Sequence, residues 1–176
     1  MMGLTMRFAH HELEDGTRIL FRHIRPDDKG RLAAGLSRLS PESQRRRFLM
    51  PKPRFSSSEL RYLTEIDGFD HVAIVAVLEE DPEAIVAVAR FVRLTDDPQT
   101  AEAAIVVGDA YQGRGLGREL GRRLADEARA RGVRRFSATL LGDNVAAHRL
   151  MASMGERLHW EMRGGIEELV THLVAA

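Results

Sequence analysis

The stretch Gln112-Gly113-Arg114-Gly115-Leu116-Gly117 constrains this chain more than any other. Three glycines fall within five positions, between the apolar run Ala101–Val107 and a segment where Leu116, Leu120, Leu124 and Ala128 recur at helical spacing. A strand, a glycine-rich turn and a helix in that order leave several backbone N–H groups unshielded by side chains. The peptide dipoles of the helix add positive potential at the same place. Such a turn suits a phosphate or pyrophosphate. A blander alternative is that the glycines only let the strand and the helix pack closely.

Three familiar phosphate loops do not fit. A dinucleotide fingerprint needs glycine three residues after Gly115, where Arg118 stands, and its strand opens a βαβ unit instead of lying past mid-chain. A P-loop needs Lys-Ser/Thr after its last glycine, and Arg118-Glu119 follows here. A kinase glycine loop requires more chain than remains of the 176 residues.

Composition removes further classes. Lys+Arg and Asp+Glu are 26 each, so no global field draws in nucleic acid. The absence of cysteine excludes a disulfide framework, a thiolate zinc site and a cysteine nucleophile. With 44% apolar and 30% charged residues, the chain has a globular profile, and its length allows one domain over residues 1–176. The apolar runs Val72–Leu78 and Ala84–Ala89 fall far short of the ~20 residues of a membrane span. The N-terminus lacks the apolar stretch of a signal peptide, so a cytoplasmic protein without membrane partners is expected. His10-His11-Glu12 suggests a metal site only superficially, because adjacent strand side chains point to opposite faces. No metal is expected.

Coarse organisation follows from turn and cap signals. Glu14-Asp15-Gly16 between Phe8–Leu13 and Thr17–Ile24 predicts a hairpin. Arg25-Pro26-Asp27-Asp28 opens a helix bearing Leu32, Leu36 and Leu39. Ser40-Pro41-Glu42 starts a second helix through Phe48, on which Arg45-Arg46-Arg47 is expected to form a solvated face. Ser56-x-x-Glu59 is a capping box for a third, with Leu60 and Leu63. His71–Leu78 and Ala84–Leu94 read as a second hairpin, followed by strand Ala101–Val107 and the long helix from Gly115 to about Arg131, stopped by Gly132. Strand Arg134–Leu141, helix Asn144–Met154 and a strand pair Leu158–Arg163 and Ile166–Leu173 complete an α+β order.

At the glycine loop the chain resembles a family. Gln112-Gly113-Arg114-Gly115-Leu116-Gly117 is similar to the acyl-CoA pyrophosphate loop of the GNAT acetyltransferases, Gln/Arg-x-x-Gly-x-Gly/Ala. The element order resembles that superfamily's over about residues 17 to 173. The resemblance implies a three-layer α+β fold: a twisted, mixed but mostly antiparallel sheet flanked by helices and splayed between its fourth and fifth core strands. It implies acetyl-CoA as cosubstrate. Backbone groups of Ile105, Val106 and Val107 would pair with the pantetheine arm, and Gln112, Gly113, Arg114, Gly115, Leu116, Gly117 and Arg118 would hold the pyrophosphate. Asn144 would contact the cofactor while also serving as an ordinary N-cap. Leu39–Phe48 (LSPESQRRRF), Glu59–Asp67 (ELRYLTEID) and Ala101-Glu102 resemble the catalytic domain of bacterial protein lysine acetyltransferases. Larger members of that group carry a cyclic-nucleotide or acyl-CoA-synthetase-like module. The chain has no room for either, and regulation by them is not implied.

Acetyl transfer from a thioester to an amine needs the neutral amine, and a lysine-like group near pKa 10.4 is mostly protonated at pH 7. Glu102, in the apolar strand AEAAIVV, matches the glutamate that serves as base in the resembling enzymes, acting through a water. Its alternative is a solvent-facing residue on an alternating strand. A backbone N–H near Val106 or Val107, freed by a bulge, is expected to face the thioester oxygen. Without cysteine, transfer is direct within a ternary complex. Many GNAT enzymes carry Asn-x-x-Ala-x-x-Leu-Tyr on the following helix, whose tyrosine protonates the departing sulfur. Here Asn144 to Leu150 fits, but Met151 replaces that tyrosine. His148 is a poor substitute, because helix phasing turns it about 280° away at ~100° per residue. Arg114, Arg118 and Arg149 are candidates for CoA phosphates, whereas Tyr111 and Trp160 read as packing residues. The expected activity is acetylation of a primary amine, foremost a protein lysine. A small-molecule amine acetyltransferase and a non-catalytic acyl-CoA sensor remain open, as does a homodimeric assembly.

Overall fold

Two strands, β3 (His71–Leu78) and β4 (Ile85–Arg93), form the centre of the molecule in a computed structural model that describes residues 9–174 apart from the Leu158 side chain. Residues His71–Val77 and Ile85–Phe91 are buried on both faces, as near-continuous β-branched and alanine runs require. Outside them lie β1 (Ala9–Glu12) and β2 (Arg18–His23) on one side, and β5 (Thr100–Val107), β6 (Arg135–Leu141), β8 (Ile166–Leu173) and β7 (Gly155–Arg163) on the other. The sheet order is β1-β2-β3-β4-β5-β6-β8-β7. Phe8, expected to begin the first strand, lies outside the described residues.

Helices cover both faces, giving the expected α+β, three-layer arrangement. One face bears α1 (Lys29–Ser37), α2 (Pro41–Phe48) and α3 (Ser57–Thr64), with Val75, Val77 and Val88 buried beneath them among Leu32, Leu60 and Leu63. The other bears α4 (Leu116–Ala130) and α5 (Val145–Met154), where Leu116, Leu120, Leu124 and Ala128 pack on Ile74, Ala89, Phe91 and Ala103. Strand residues one apart serve opposite layers, so the alternation along β4 and β5 decides which side chains meet which helices.

Every strand pair is antiparallel except β5–β6, which α4 joins as a crossover. That pair is short. It holds for three rungs, Thr100–Arg135, Ala101–Phe136 and Glu102–Ser137, after which the strands part. The paired end is pinned by Arg135, whose Nε donates to Thr100 Oγ1 at 2.9 Å while its Nη2 lies 3.1 Å from Asp97 Oδ2. Counting core strands from β2, this is the expected fork between the fourth and fifth.

Two local expectations change. The β4–β5 register runs without a shift from Ala101–Arg93 to Val107–Ala87, so β5 has no bulge there. Its unpaired edge comes from the departure of β6. Strand β7 starts at Gly155, directly out of α5, instead of at Leu158, and its register shifts between Arg157 and His159. Gly155 makes this immediate start possible because a Cβ there would sit 1.9 Å from His172 O. Trp160 of β7 is half exposed, so it is no packing residue.

Gly155→Ala is therefore expected to cost at least about 2 kcal/mol in urea-induced unfolding, as overpacking against backbone does. Gly30→Ala in α1, where a Cβ meets nothing within 4 Å, should instead add about 0.5 kcal/mol.

Candidate active site

Beyond Glu102 the fork opens into a cavity of about 1040 Å³. Its floor is β5 and its far wall is Ala138–Leu140 of β6. The C-terminal part of α2 and the start of α4 close the sides, together with α5 residues. Of the residues expected at the site, Glu102, Ile105, Val106, Val107, Gln112, Gly113, Gly115, Gly117, Arg118 and Asn144 all line this one cavity. Arg114 and Leu116 do not. The Leu116 side chain is buried in the core, leaving only its backbone for a ligand. Arg114 instead forms an ion pair with Asp15 in the β1–β2 turn.

The glycines divide by role. Gly113 and Gly115 have φ of 72° and 81°, and a Cβ at either would meet nothing, so they serve the left-handed backbone of the turn. Gly117 is helical, and a Cβ there would come 3.4 Å from Val107 Cγ2. Close strand–helix packing explains that glycine but not the other two. Glu119 N–H donates to Gly115 O at 3.1 Å and is the first amide of α4 to find a backbone acceptor. The N–H groups of Leu116, Gly117 and Arg118 are left for an anion, at the positive end of a 15-residue helix. Arg118 and Arg149 line the same cavity. Bare amides, helix terminus and two guanidinium groups fit the pyrophosphate and phosphate of an acyl-CoA, and the unpaired β5 edge fits an amide-bearing arm.

The Gln112 side chain has structural work: its Nε2 donates to Val107 O at 2.9 Å and to Ser43 Oγ at 3.1 Å, tying the loop to β5 and α2. Asp109 strengthens that tie, accepting from Ser40 N at 3.0 Å, Ser40 Oγ at 2.6 Å and Ser43 Oγ at 2.8 Å. Burial works to raise the Asp109 carboxyl, but these hydrogen bonds outweigh it and hold the group below the usual carboxylate range. Asn144 caps α5, its Oδ1 accepting from Ala147 N at 3.2 Å, which leaves both N–H groups of its NH₂ to donate to a ligand.

Among the described residues Glu102 is the sole carboxylate on the cavity wall, and no histidine lines it. It is exposed, and it faces the cavity at the point of the fork. Met151, buried, also lines the cavity in place of the familiar tyrosine. His148 turns away, with Nε2 2.7 Å from Oε2 of the buried Glu167 on β8. Tyr111 packs against the core as expected and also lines the cavity.

Sequence reasoning missed the α2 contribution. Arg46 and Arg47 both line the cavity, contrary to the expected solvated face. Arg46 pairs with Glu42 at 2.8 Å, whereas Arg47 is half-buried with its guanidinium 4.9 Å from the Phe48 ring centre. Arg90 and His71 lie on the same sheet face, both buried, with Arg90 Nη1 3.0 Å from His71 Nε2. Arginine only donates, so Nε2 accepts and the imidazole is neutral with its proton on Nδ1. Burial first, and Arg90 second, push the His71 pKa down to about 4. No signal in a single sequence marks these residues, since their placement depends on strand register. Among the described residues no cluster of His, Cys, Asp or Glu could hold a metal, and no helix is long and apolar enough to cross a membrane.

Comparisons with known proteins point the same way. Residues 41–155 match the model of the Acetyltransferase (GNAT) family. The chain is 37% identical over 145 residues to Acetyltransferase Pat of Mycolicibacterium smegmatis, covering 82% of this chain but 43% of that relative. It is 34% identical over 144 residues to Acetyltransferase PA5475 of Pseudomonas aeruginosa, covering 81% and 77%. Among solved structures, the GNAT domain of S. lividans PAT superposes with a TM-score of 0.84 at 31% identity, over 94% of this chain and 97% of that one. The cAMP-binding acyltransferase from Mycobacterium smegmatis gives 0.67 at 30%, over 96% and 48%.

A histidine whose pKa falls on folding binds its proton more readily when unfolded. Its neutral burial therefore contributes fully above about pH 6.5, and that contribution declines as pH falls toward 4. Stability should drop over that window by an amount on the order of 2 kcal/mol that His71→Gln abolishes, measured as chemical denaturation at a series of pH values.

Proposed function

Since the chain belongs to the GNAT acetyltransferase family, we propose that it transfers acetyl from acetyl-CoA to a primary amine, with a protein lysine as the acceptor. Enzymes of this family use acetyl-CoA. The lysine acceptor is supported by similarity to Acetyltransferase Pat and to the S. lividans PAT domain, with the LSPESQRRRF and ELRYLTEID segments. The observation that carries the reading is the carboxylate of Glu102 at the point of a fork, in one cavity with the bare amides at the start of α4 and the guanidinium groups of Arg118 and Arg149.

Each part of the chain then has a task. The β5 edge at Ile105, Val106 and Val107 aligns the pantetheine arm, and its amides face the thioester oxygen. The turn from Gln112 to Arg118 holds the pyrophosphate, chiefly through the N–H groups of Leu116, Gly117 and Arg118, and Arg149 meets a further phosphate. Asn144 offers its NH₂. When bound, the thioester supplies an activated acyl carbon and a leaving thiolate. The amine nitrogen forms a bond to that carbon as the carbon–sulfur bond breaks, and Glu102 takes the proton through a water. With Met151 in the tyrosine position, the sulfur leaves as a thiolate, reasonable for a simple thiol near pKa 8.5, and takes its proton from solvent.

Glu102→Gln should lower kcat/KM at neutral pH by roughly a hundredfold, within the range for a general base, with acetyl-CoA affinity retained by calorimetry. Wild-type turnover in that variant would remove Glu102 as base. Acceptor class is tested by incubating the protein with acetyl-CoA and panels of proteins, polyamines and aminoglycosides. Acetylated lysines are expected by mass spectrometry, and modification of the small amines alone would overturn the lysine reading. Tight CoA binding with no turnover on any acceptor would favour a sensor.

A further inference from the structure

Near Glu102 the cavity wall carries the cation Arg47, and a second cation, the buried Arg90, stands on the same sheet face. Strand register sets this arrangement. His71, Val92 and Glu102 share one rung of β3, β4 and β5, and Ala73, Arg90 and Ala104 share another two residues along. Side chains on these rungs project toward α2 and α3. From α2, Arg47 reaches the cavity wall, close enough to Glu102 and to Arg90 for each charge to act on it.

Neither arginine has a carboxylate within ion-pair distance among the described residues. Arg90, buried, donates to Leu63 O at 3.2 Å and to neutral His71 Nε2 at 3.0 Å, and both partners are uncharged. Arg47 has only the Phe48 ring beneath it. A buried cation such as Arg90 left without a counter-charge is costly, and half-burial of Arg47 adds to the cost. Burial lowers the pKa of both, with that of Arg90 coming down to about 10, and a guanidinium keeps its proton in proteins. Arg46, offset by Glu42, also lines the cavity, and Tyr62 of α3 packs on His71 with ring centres 5.0 Å apart. The facing β6 residues Ala138 and Thr139 do not titrate. The local sum is two guanidinium charges against one carboxylate.

We propose that Arg47, backed by Arg90, is a positioning residue of the transfer reaction, keeping the space beside Glu102 net positive so that the acceptor occupies it as free amine. A neighbouring cation disfavours the charged form of an amine. The effect matters because a lysine-like group is free base only about once in 2,500 at pH 7. Glu102 then receives the proton released as the nitrogen–carbon bond forms, and does not have to strip an ammonium first. The inference rests on the amine-acceptor reading above.

The test is the pH dependence of kcat on a lysine peptide between pH 6 and 9, with both substrates saturating. Wild type, Arg47→Gln and Arg47→Lys are compared by thiol release. Arg47→Gln should shift the rising limb up by about one pH unit, lowering kcat about tenfold at pH 7. Acetyl-CoA KM should change by no more than about twofold, and Arg47→Lys should restore the limb. A peptide carrying thialysine, a less basic amine, should recover most of the lost rate in Arg47→Gln. A limb that stays in place while its plateau falls, or a thialysine peptide that recovers nothing, overturns the role of Arg47. Should Glu102→Gln retain wild-type turnover, the base reading fails first and this inference falls with it. Dependence on Glu102 with an unmoved Arg47→Gln limb overturns the inference alone.

Discussion

Everything at the site depends on β5 and β6 pairing for three rungs and then separating. Two parallel strands that stayed together would satisfy each other's backbone groups and close the sheet. Arg135, Thr100 and Asp97 pin one end, while β6 stays paired with β8 along its other edge from Arg135 to Leu141. The stretch of β5 beyond Glu102 therefore has a ladder to β4 on one side only. Backbone polar groups left in a partly enclosed space need partners, and a ligand with amides along its length supplies them. The fork also puts Glu102 at the junction of the two walls. One irregularity in a sheet thus makes both a binding edge and a reaction point.

Around that fork, three otherwise separate pieces of chain are tied together. Asp109 fastens the start of α2 to the segment before the glycine turn, and Gln112 fastens the turn back to Val107 and Ser43. Gly117 and Gly121 let α4 settle close to β5 and α5, with a Cβ at Gly121 only 3.1 Å from Met154 Sδ. The amides of the helix terminus are aimed because the turn holding them is braced on both sides, in keeping with rigid support for a functional loop.

Much of this was legible from the sequence, and the reasons are local. Ser40 and Ser56 cap their helices as their spacing implies, and Gly132 takes φ of 81° after α4. The glycine turn showed itself because positive φ and exposed amides both require glycine. What escaped were features that depend on register between distant strands. Arg45, Arg46 and Arg47 look equivalent in sequence, but α2 turns only Arg46 and Arg47 to the cavity, and Glu42 occupies Arg46. Arg90 sits inside a β-branched run, where nothing nearby announces that His71, 19 residues earlier, will stand beside it. Likewise, a bulge was expected to free the β5 amides, because the departure of β6 leaves no mark within β5 itself. Gln112 and Arg114 matched a motif, yet their side chains face protein partners, since a motif fixes backbone shape more firmly than side-chain direction.

The central claim, that the open β5 edge and the bare start of α4 together receive coenzyme A, is tested most directly by residue-resolved amide exchange with and without the coenzyme. Amides among Ile105–Val107 and those of Leu116, Gly117 and Arg118 should exchange markedly more slowly on saturation, while the β7–β8 pair stays unchanged. Unaltered exchange at those positions under saturating coenzyme, or protection confined to another part of the sheet, would contradict it.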